Sequence, residues 1–280
     1  MKTAPPRLSE REVRTMLPRI FAGLAAADTI ILKHLSHARI SLKEDGSEVT
    51  VADRGAERVL RRHLSAARPD AAVLGEEYGG TLPTTGACWL IDPIDGTASY
   101  VLGSPMFGTL LSLVVDGEPV FGCIHLSALR ETTYAARGGG CWLRRAGDRP
   151  RRVHVGAACG LGEARVGLTS FKKSDIGYLR GRWRLAAVTR AVGRMRLVGD
   201  CVQYALLCRG VLDAAIDPLM NPWDIGALVP CVLEAGGSCS DLAGGTDDLL
   251  HQNSFVAASS ATLRRALCAR ARGPARRGRR

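Results

Sequence analysis

Four acids sit where a strand end or a turn would hold a carboxylate still. They are Glu76 in Gly75-Glu76-Glu77, Asp92 and Asp95 in Asp92-Pro93-Ile94-Asp95-Gly96-Thr97, and Asp224 in Pro222-Trp223-Asp224. A hard cation such as Mg²⁺ takes carboxylate and carbonyl oxygens in near-octahedral geometry. Pro93 fixes its own φ and restricts Asp92, which leaves both carboxylates and the Ile94 carbonyl able to turn towards one point. Gly96-Thr97 then opens a segment (TASYVL) readable as a helix start or tight turn. Its N–H groups would meet a phosphate, and Gly96 permits close approach. Carboxylates for a metal and a cradle for phosphate within six residues predict metal-assisted hydrolysis of a phosphate ester. Two or three Mg²⁺ per site would activate a water, polarise the phosphoryl oxygens and stabilise the leaving alkoxide. No nucleophilic Cys or His is required.

One of these acids, Asp224, and a fifth acid, Asp53, also have local structural roles. Asp224 follows Asn221-Pro222, an N-cap and first-turn Pro, and by itself would complement a helix dipole. The other acids favour the metal role. Asp53, in VTVAD, reads as a cap for the helix starting there, a role compatible with catalysis.

The elements that must position these residues follow from periodicity. Ser9 to about Leu35 has a helical apolar stripe, with Ser9 and Glu12 in a capping-box pattern. A second helix is predicted over Ala52 to Ala67, with Ala56, Val59, Leu60 and Leu64 as its buried face. Strands are predicted over Ala72 to Leu74, Cys88 to Ile91, Gly108 to Val115, Pro119 to His125 and Thr132 to Ala136. Asp116-Gly117 between two apolar runs signals a hairpin, and Gly138-Gly139-Gly140 reads as a turn rather than a phosphate loop. The basic stretch Arg144 to Arg152 is taken as a boundary between an N-terminal α+β lobe (1–150) and a C-terminal α/β lobe (151–270). In the latter, strands are expected at Ala164 to Leu168, Arg194 to Leu197, Leu212 to Ile216 and Phe255 to Ala258. Helices are expected at Asp200 to Arg209 and Pro222 to Ala235. The fold class is a mixture of α/β and α+β with sheets covered by helices.

The formal charge of +11 would suit nucleic acid, but Arg264 to Arg280 carries eight Arg and no acid, leaving the body at +3. Residues 271–280 read as a basic, solvated tail. Nine Cys, an odd number without a C-x-x-C pair, predict free thiols in a reducing compartment. The N-terminal MKTAPPRLSEREVRTM does not predict a signal peptide, and no run of about 20 apolar residues is present. No membrane association is expected, and the cytoplasm is the expected location.

The three acidic motifs, in order, resemble the inositol monophosphatase family: Gly75-Glu76-Glu77, then Trp89-Leu90-Ile91-Asp92-Pro93-Ile94-Asp95-Gly96-Thr97, then Trp223-Asp224-Ile225-Gly226-Ala227 with Ala235-Gly236-Gly237. The resemblance covers roughly residues 10 to 265. It implies a layered α-β-α-β-α fold and Mg²⁺-dependent hydrolysis of a small phosphorylated metabolite. It also implies ligation by Glu76, Asp92, the Ile94 carbonyl, Asp95 and Asp224, with Asp53 and Thr97 orienting or activating the attacking water. A homodimer and sensitivity to lithium are common in the family.

Further stretches resemble the family's histidinol-phosphate phosphatases: Lys43 to Ser47, Pro105 to Leu110, Leu129-Arg130-Glu131, and Gly199-Asp200-Cys201 with Tyr204. Histidinol phosphate carries an ammonium and an imidazole, so its pocket should offer carboxylates; Asp200 and Asp217 are the candidates, beside Gly96 and Thr97 for the phosphate. Ala98 departs from the Lys or Arg that these members often carry. Inositol monophosphate and then a nucleotide 3′-phosphate are the alternatives; for bisphosphorylated substrates Lys172, Lys173 and Arg180 would contribute. A regulatory RNA-binding protein using the Arg-rich tail is the rival of a different class. If the tail is dispensable, deleting residues 264–280 should leave activity unchanged.

Overall fold

The computed structural model describes residues 6–35, 40–42, 48–169 and 183–272. Helix α1 (Glu10–His34) begins at the Ser9 N-cap with the expected capping box to Glu12. It is long and apolar enough to cross a membrane by length and composition, unlike the expectation from the sequence. Its stripe of Met16, Ile20, Leu24, Ala27 and Ile31 is instead buried in the core, while Arg11, Arg14 and Arg19 are exposed. A short hairpin of β1 (Ile40–Leu42) and β2 (Glu48–Thr50) leads into α2 (Val51–Ala67). Thr50, not Asp53, is the N-cap of α2; Asp53 sits three residues on and completes a capping box with it. Glu57, which the periodicity leaves to solvent, is fully buried on α2, whereas Val59 is only partly covered.

Seven strands form the first sheet in simple sequence order: β3 (Ala72–Gly75), β4 (Ala87–Asp95), β5 (Gly108–Val115), β6 (Glu118–Leu126), β7 (Glu131–Ala136), β8 (Gly140–Arg145) and β9 (Arg151–Val153). Only β3 and β4 run parallel. The sheet therefore extends past the boundary set at residue 150. Asp116 and Gly117, at φ 50° and 78°, make the hairpin turn the dipeptide predicts. The Gly138–Gly140 turn is a turn as expected: the Glu234 carboxylate accepts the N–H groups of Gly138 (2.7 Å) and Gly140 (2.8 Å). Those amides already serve an anion of the chain itself.

The second sheet has the order β11-β10-β12-β14-β13, built from β10 (Arg165–Leu168), β11 (Arg194–Leu197), β12 (Ala214–Asp217), β13 (Ser238–Ser240) and β14 (Phe255–Ala258). Its helices are α4 (Leu185–Ala191), α5 (Asp200–Cys208), α6 (Pro222–Glu234) and α7 (Ala261–Arg272), after the short α3 (Thr97–Val101). Period-two alternation sorts the apolar side chains into layers. Trp89 and Ile91 of β4 pack towards α1 and α2, whereas Leu90 between them joins α5, α6 and the inner face of the second sheet. Phe255 and Ala257 face that same central core, and Val256 and Ala258 face α4 and α7 outside. The result is the α-β-α-β-α sandwich, and the continuous apolar run of β4 is the mark of a strand buried on both faces. Helix α6 lies so close to the first sheet that a Cβ on Gly122 would stand 2.1 Å from the Ala227 carbonyl oxygen.

Helix α7 was not legible in the Arg-rich C-terminus. Leu263, Leu267, Cys268 and Ala271 are buried in the outer core, and Arg264 is 6% exposed with its Nε donating to Ser238 Oγ. Removing residues 264–280 would strip a core helix, so that deletion cannot test a dispensable tail. The tail reading applies at most to residues 273–280, which lie outside the described residues, as do Lys43 to Ser47, Lys172, Lys173 and Arg180. All nine Cys are unpaired.

Candidate active site

In a regular strand, residues three apart point to opposite faces. Asp92 pairs with Leu110 and Asp95 with Gly108, so β4 advances three residues while β5 advances two. This bulge carries one extra residue, and Thr109 Oγ1 donates to the Pro93 carbonyl across it (2.8 Å). The two carboxylates are thereby brought to the same side. Ligand atoms of Asp92, Asp95 and Asp224 all lie within 4.8 Å of one another. Asp224 reaches them from the first turn of α6, where its Oδ2 accepts the Asn221 N–H (2.7 Å) in a capping box behind Pro222.

Glu76 is outside that tight trio but close enough for its charge to act on Asp53, Asp92 and Asp224. Its N–H donates to Ile91 O (3.0 Å), tying the turn after β3 to β4. The turn is further held by Glu57, whose carboxylate accepts the N–H groups of Glu77 (2.7 Å) and Tyr78 (3.3 Å) and pairs with Arg61 (2.7 Å). Sequence reasoning missed Glu57 because nothing local marks an acid on a helix as buried. Asp53 Oδ2 accepts both the N–H (2.8 Å) and the hydroxyl (2.5 Å) of Thr50; its Oδ1 is buried without a protein partner. Thr97 Oγ1 donates to the Ile94 carbonyl (3.0 Å), which retains a second lone pair.

Gly96 adopts φ +88°, and a Cβ there would lie 2.6 Å from Asp200 Oδ2. The N- and C-terminal halves of the chain thus touch at the site. Helix α5 reinforces the join, because the Cys201 N–H donates to Asp95 Oδ2. Beside the cluster opens a cavity of about 580 Å³, lined among others by Asp95, Asp200, Asp217, Asp224, Ser99 and Thr169. No Lys, Arg or His is among its described lining residues. All ten residues singled out by sequence therefore converge on this region.

The electrostatics are those of acids awaiting a cation. Burial first, then the charges of Glu76, Asp95 and Asp224, pushes Asp92 well above the usual carboxylate range. Burial followed by Asp200 and Asp224 does the same to Asp95. Asp224 is raised to about 7, by burial and then Glu76, and Asp217 to about 8, chiefly by burial. Asp53 is also raised by burial, against the opposing hydrogen bonds of Thr50. An all-oxygen donor set under mutual repulsion, with the orphaned Asp53 Oδ1 nearby, fits a hard divalent cation.

A family model, the inositol monophosphatase family, matches residues 14–273. The histidinol-phosphatase of Mycobacterium tuberculosis is 39% identical over 208 residues, covering 74% of this chain and 78% of that protein. The inositol-1-monophosphatase of Mesorhizobium japonicum is 31% identical over 236 residues, covering 83% and 86%. The solved structure of an IMPase from Thermotoga maritima matches with a TM-score of 0.77 at 25% identity, over 93% of this chain and 96% of that one. The chain belongs to the inositol monophosphatase family. It is a phosphoric monoester hydrolase, and dependence on magnesium is typical of its family.

Proposed function

We propose that the enzyme hydrolyses histidinol phosphate to histidinol and phosphate. The observation that carries this reading is the acidic cavity sharing Asp95 and Asp224 with the carboxylate cluster. A phosphate held at the cluster would place its leaving group among Asp200 and Asp217, with no described cation to repel an ammonium or imidazolium. Ala98, at the wall, adds no charge of its own. The M. tuberculosis relative supports the same assignment.

Glu76, Asp92, the Ile94 carbonyl, Asp95 and Asp224 would hold two or three Mg²⁺. When bound, these ions supply Lewis-acid stabilisation of the charge developing on the phosphoryl group. Asp53 presents its free Oδ1 as an acceptor for a proton of the attacking water, and Thr97 steers that water through its hydroxyl. Thr50, fixing the other Asp53 oxygen, keeps this acceptor in one rotamer. Gly96 lets the phosphate approach the backbone.

Phosphate release from histidinol phosphate and from inositol 1-phosphate, with Mg²⁺ and with EDTA, tests the proposal. Metal-dependent turnover favouring histidinol phosphate by about tenfold or more in kcat/KM is expected, as one desolvated charge pair is worth about 1.4 kcal/mol or more. Preference for inositol 1-phosphate would overturn the substrate assignment. One observation favours that second reading: an acid raised to about 8, as Asp217 is, suits neutral hydroxyls.

Within the same proposal the enzyme is a cytoplasmic homodimer. Leu197 lines the cavity yet is 62% exposed, and Leu102 is 84% exposed; a second copy would cover such apolar surface. Light scattering should give twice the chain mass; a single-chain mass at micromolar concentration would rule the dimer out.

A further inference from the structure

The Asp217 carboxylate stands at the end of a chain of hydrogen bonds that all run towards it. It closes β12, lines the cavity and is 6% exposed. Its Oδ2 accepts the hydroxyl of Thr169, just past β10, at 2.5 Å. A hydroxyl has one proton to give. With that proton committed to Asp217, the Thr169 oxygen is left to accept, and the fully buried Gln203 of α5 donates to it through Nε2 at 3.0 Å. Gln203 Nε2 also reaches the Ile216 carbonyl (3.4 Å), whereas its Oε1 is buried with no partner.

The Ile216 carbonyl, which only an N–H can satisfy, sets the direction of the chain. Reversing the amide would turn an acceptor towards Thr169. Its hydroxyl would then donate back to Gln203, and Asp217 would lose its side-chain donor. As arranged, the Thr169 hydroxyl, backed by Gln203, and the Leu219 N–H (3.4 Å to Oδ1) favour the ionised carboxylate against the burial that raises Asp217 to about 8, and a cationic ligand would complete the ionisation.

Resting on the reading of a cationic leaving group, we propose that Thr169 and Gln203 are positioning residues that hold Asp217 as a fixed counter-charge. They thereby set the preference for phosphate monoesters with a cationic leaving group over those of neutral polyols. Neither residue needs to touch the reacting phosphate. Their effect should appear in binding of the alcohol portion and not in the chemistry.

The test uses the Mg²⁺-loaded enzyme and its Thr169→Val, Thr169→Ser and Gln203→Ala variants. KM and kcat are measured for histidinol phosphate and inositol 1-phosphate, and for the matched pair phosphoethanolamine and 2-hydroxyethyl phosphate. Thr169→Val, nearly isosteric, should raise KM for both cationic esters about tenfold and leave kcat within about twofold. KM for the neutral esters should change far less than for the cationic ones. Thr169→Ser should restore the wild-type preference, and Gln203→Ala should produce a smaller loss of the same kind. A wild-type preference for cationic esters that survives Thr169→Val would overturn the relay and leave the substrate reading standing. Equal losses on cationic and neutral esters, or no rescue by Ser, would also overturn it. A wild-type enzyme without preference for either cationic ester would overturn both.

Discussion

Asp92→Asn should lower magnesium-dependent phosphate release by about a thousandfold or more, the loss of roughly 4 kcal/mol of transition-state stabilisation. The substitution is close to isosteric. Asn keeps an oxygen for the Ile94 N–H that Asp92 Oδ1 now accepts at 3.0 Å, so the bulge should survive. What disappears is one anion from a set whose members repel each other strongly enough to raise Asp92 and Asp95 well above the usual range. The metal-free variant should therefore melt no lower than the metal-free wild type, and its gain from Mg²⁺ should shrink. Activity and stability then move in opposite directions, which separates loss of a metal ligand from simple misfolding. Retention of more than a tenth of wild-type kcat would remove Asp92 from the metal-binding set.

Magnesium should raise the melting temperature by about 5 °C at pH 8 and by much less at pH 5, at a concentration near 100 Kd. The sign follows from the carboxyls raised by burial and mutual charge: Asp53, Asp92, Asp95, Asp217 and Asp224. In the unfolded chain an Asp titrates near ~4. Between that pH and the raised folded values, about 7 for Asp224 and about 8 for Asp217, the native protein binds more protons than the unfolded one. Their contribution to stability is therefore fully present below about pH 4 and is lost as pH rises to 7–8. A cation among these acids replaces the missing protons, so its stabilisation grows over the same window. Thermal melts of EDTA-treated and Mg²⁺-loaded protein at pH 5, 6, 7 and 8 measure the increment. An increment independent of pH would show that Asp92, Asp95 and Asp224 do not receive the ion.

The two expectations share an origin with the substrate relay. Near the cluster, a bound metal would supply the neutralisation. Deeper in the cavity, Thr169 with Gln203 behind it favours charge on Asp217, which on the proposed reading a cationic ligand would complete. One acidic basin can thus hold an inorganic and an organic cation side by side.

Much of the site was legible because its residues carry local signatures. Acids after the apolar run of β4 have no solvated reason to be there, and Asn221-Pro222 before Asp224 announces a helix start. The strands Gly108–Val115, Arg194–Leu197 and Phe255–Ala258 were placed to the residue, because turn chemistry or abrupt polarity bounds each run. Helix α7 escaped because the Arg-rich stretch 264–280, four of whose eight Arg lie in the helix, masks its buried Leu263, Leu267 and Ala271. Long Arg side chains can lie along apolar surface while their heads reach water or a partner, so charge density is a poor guide to exposure.

By itself the sequence determined the family motifs, the candidate carboxylates with their oxygen-rich character, and the order of most elements that carry them. Composition, turn residues and periodicity act over a few positions, and that information is present in any short window. Only the tertiary structure decided that a bulge opposite Leu110 and Gly108 turns Asp92 and Asp95 to one side. It also decided that Glu57 is a buried clamp on the Glu76 turn, and that Gln203 speaks to Asp217 through Thr169. Each of these depends on which distant segment arrives next to which, and on the desolvation that follows. A burial cost or a hydrogen-bond direction has no value until the partner across the gap is in place.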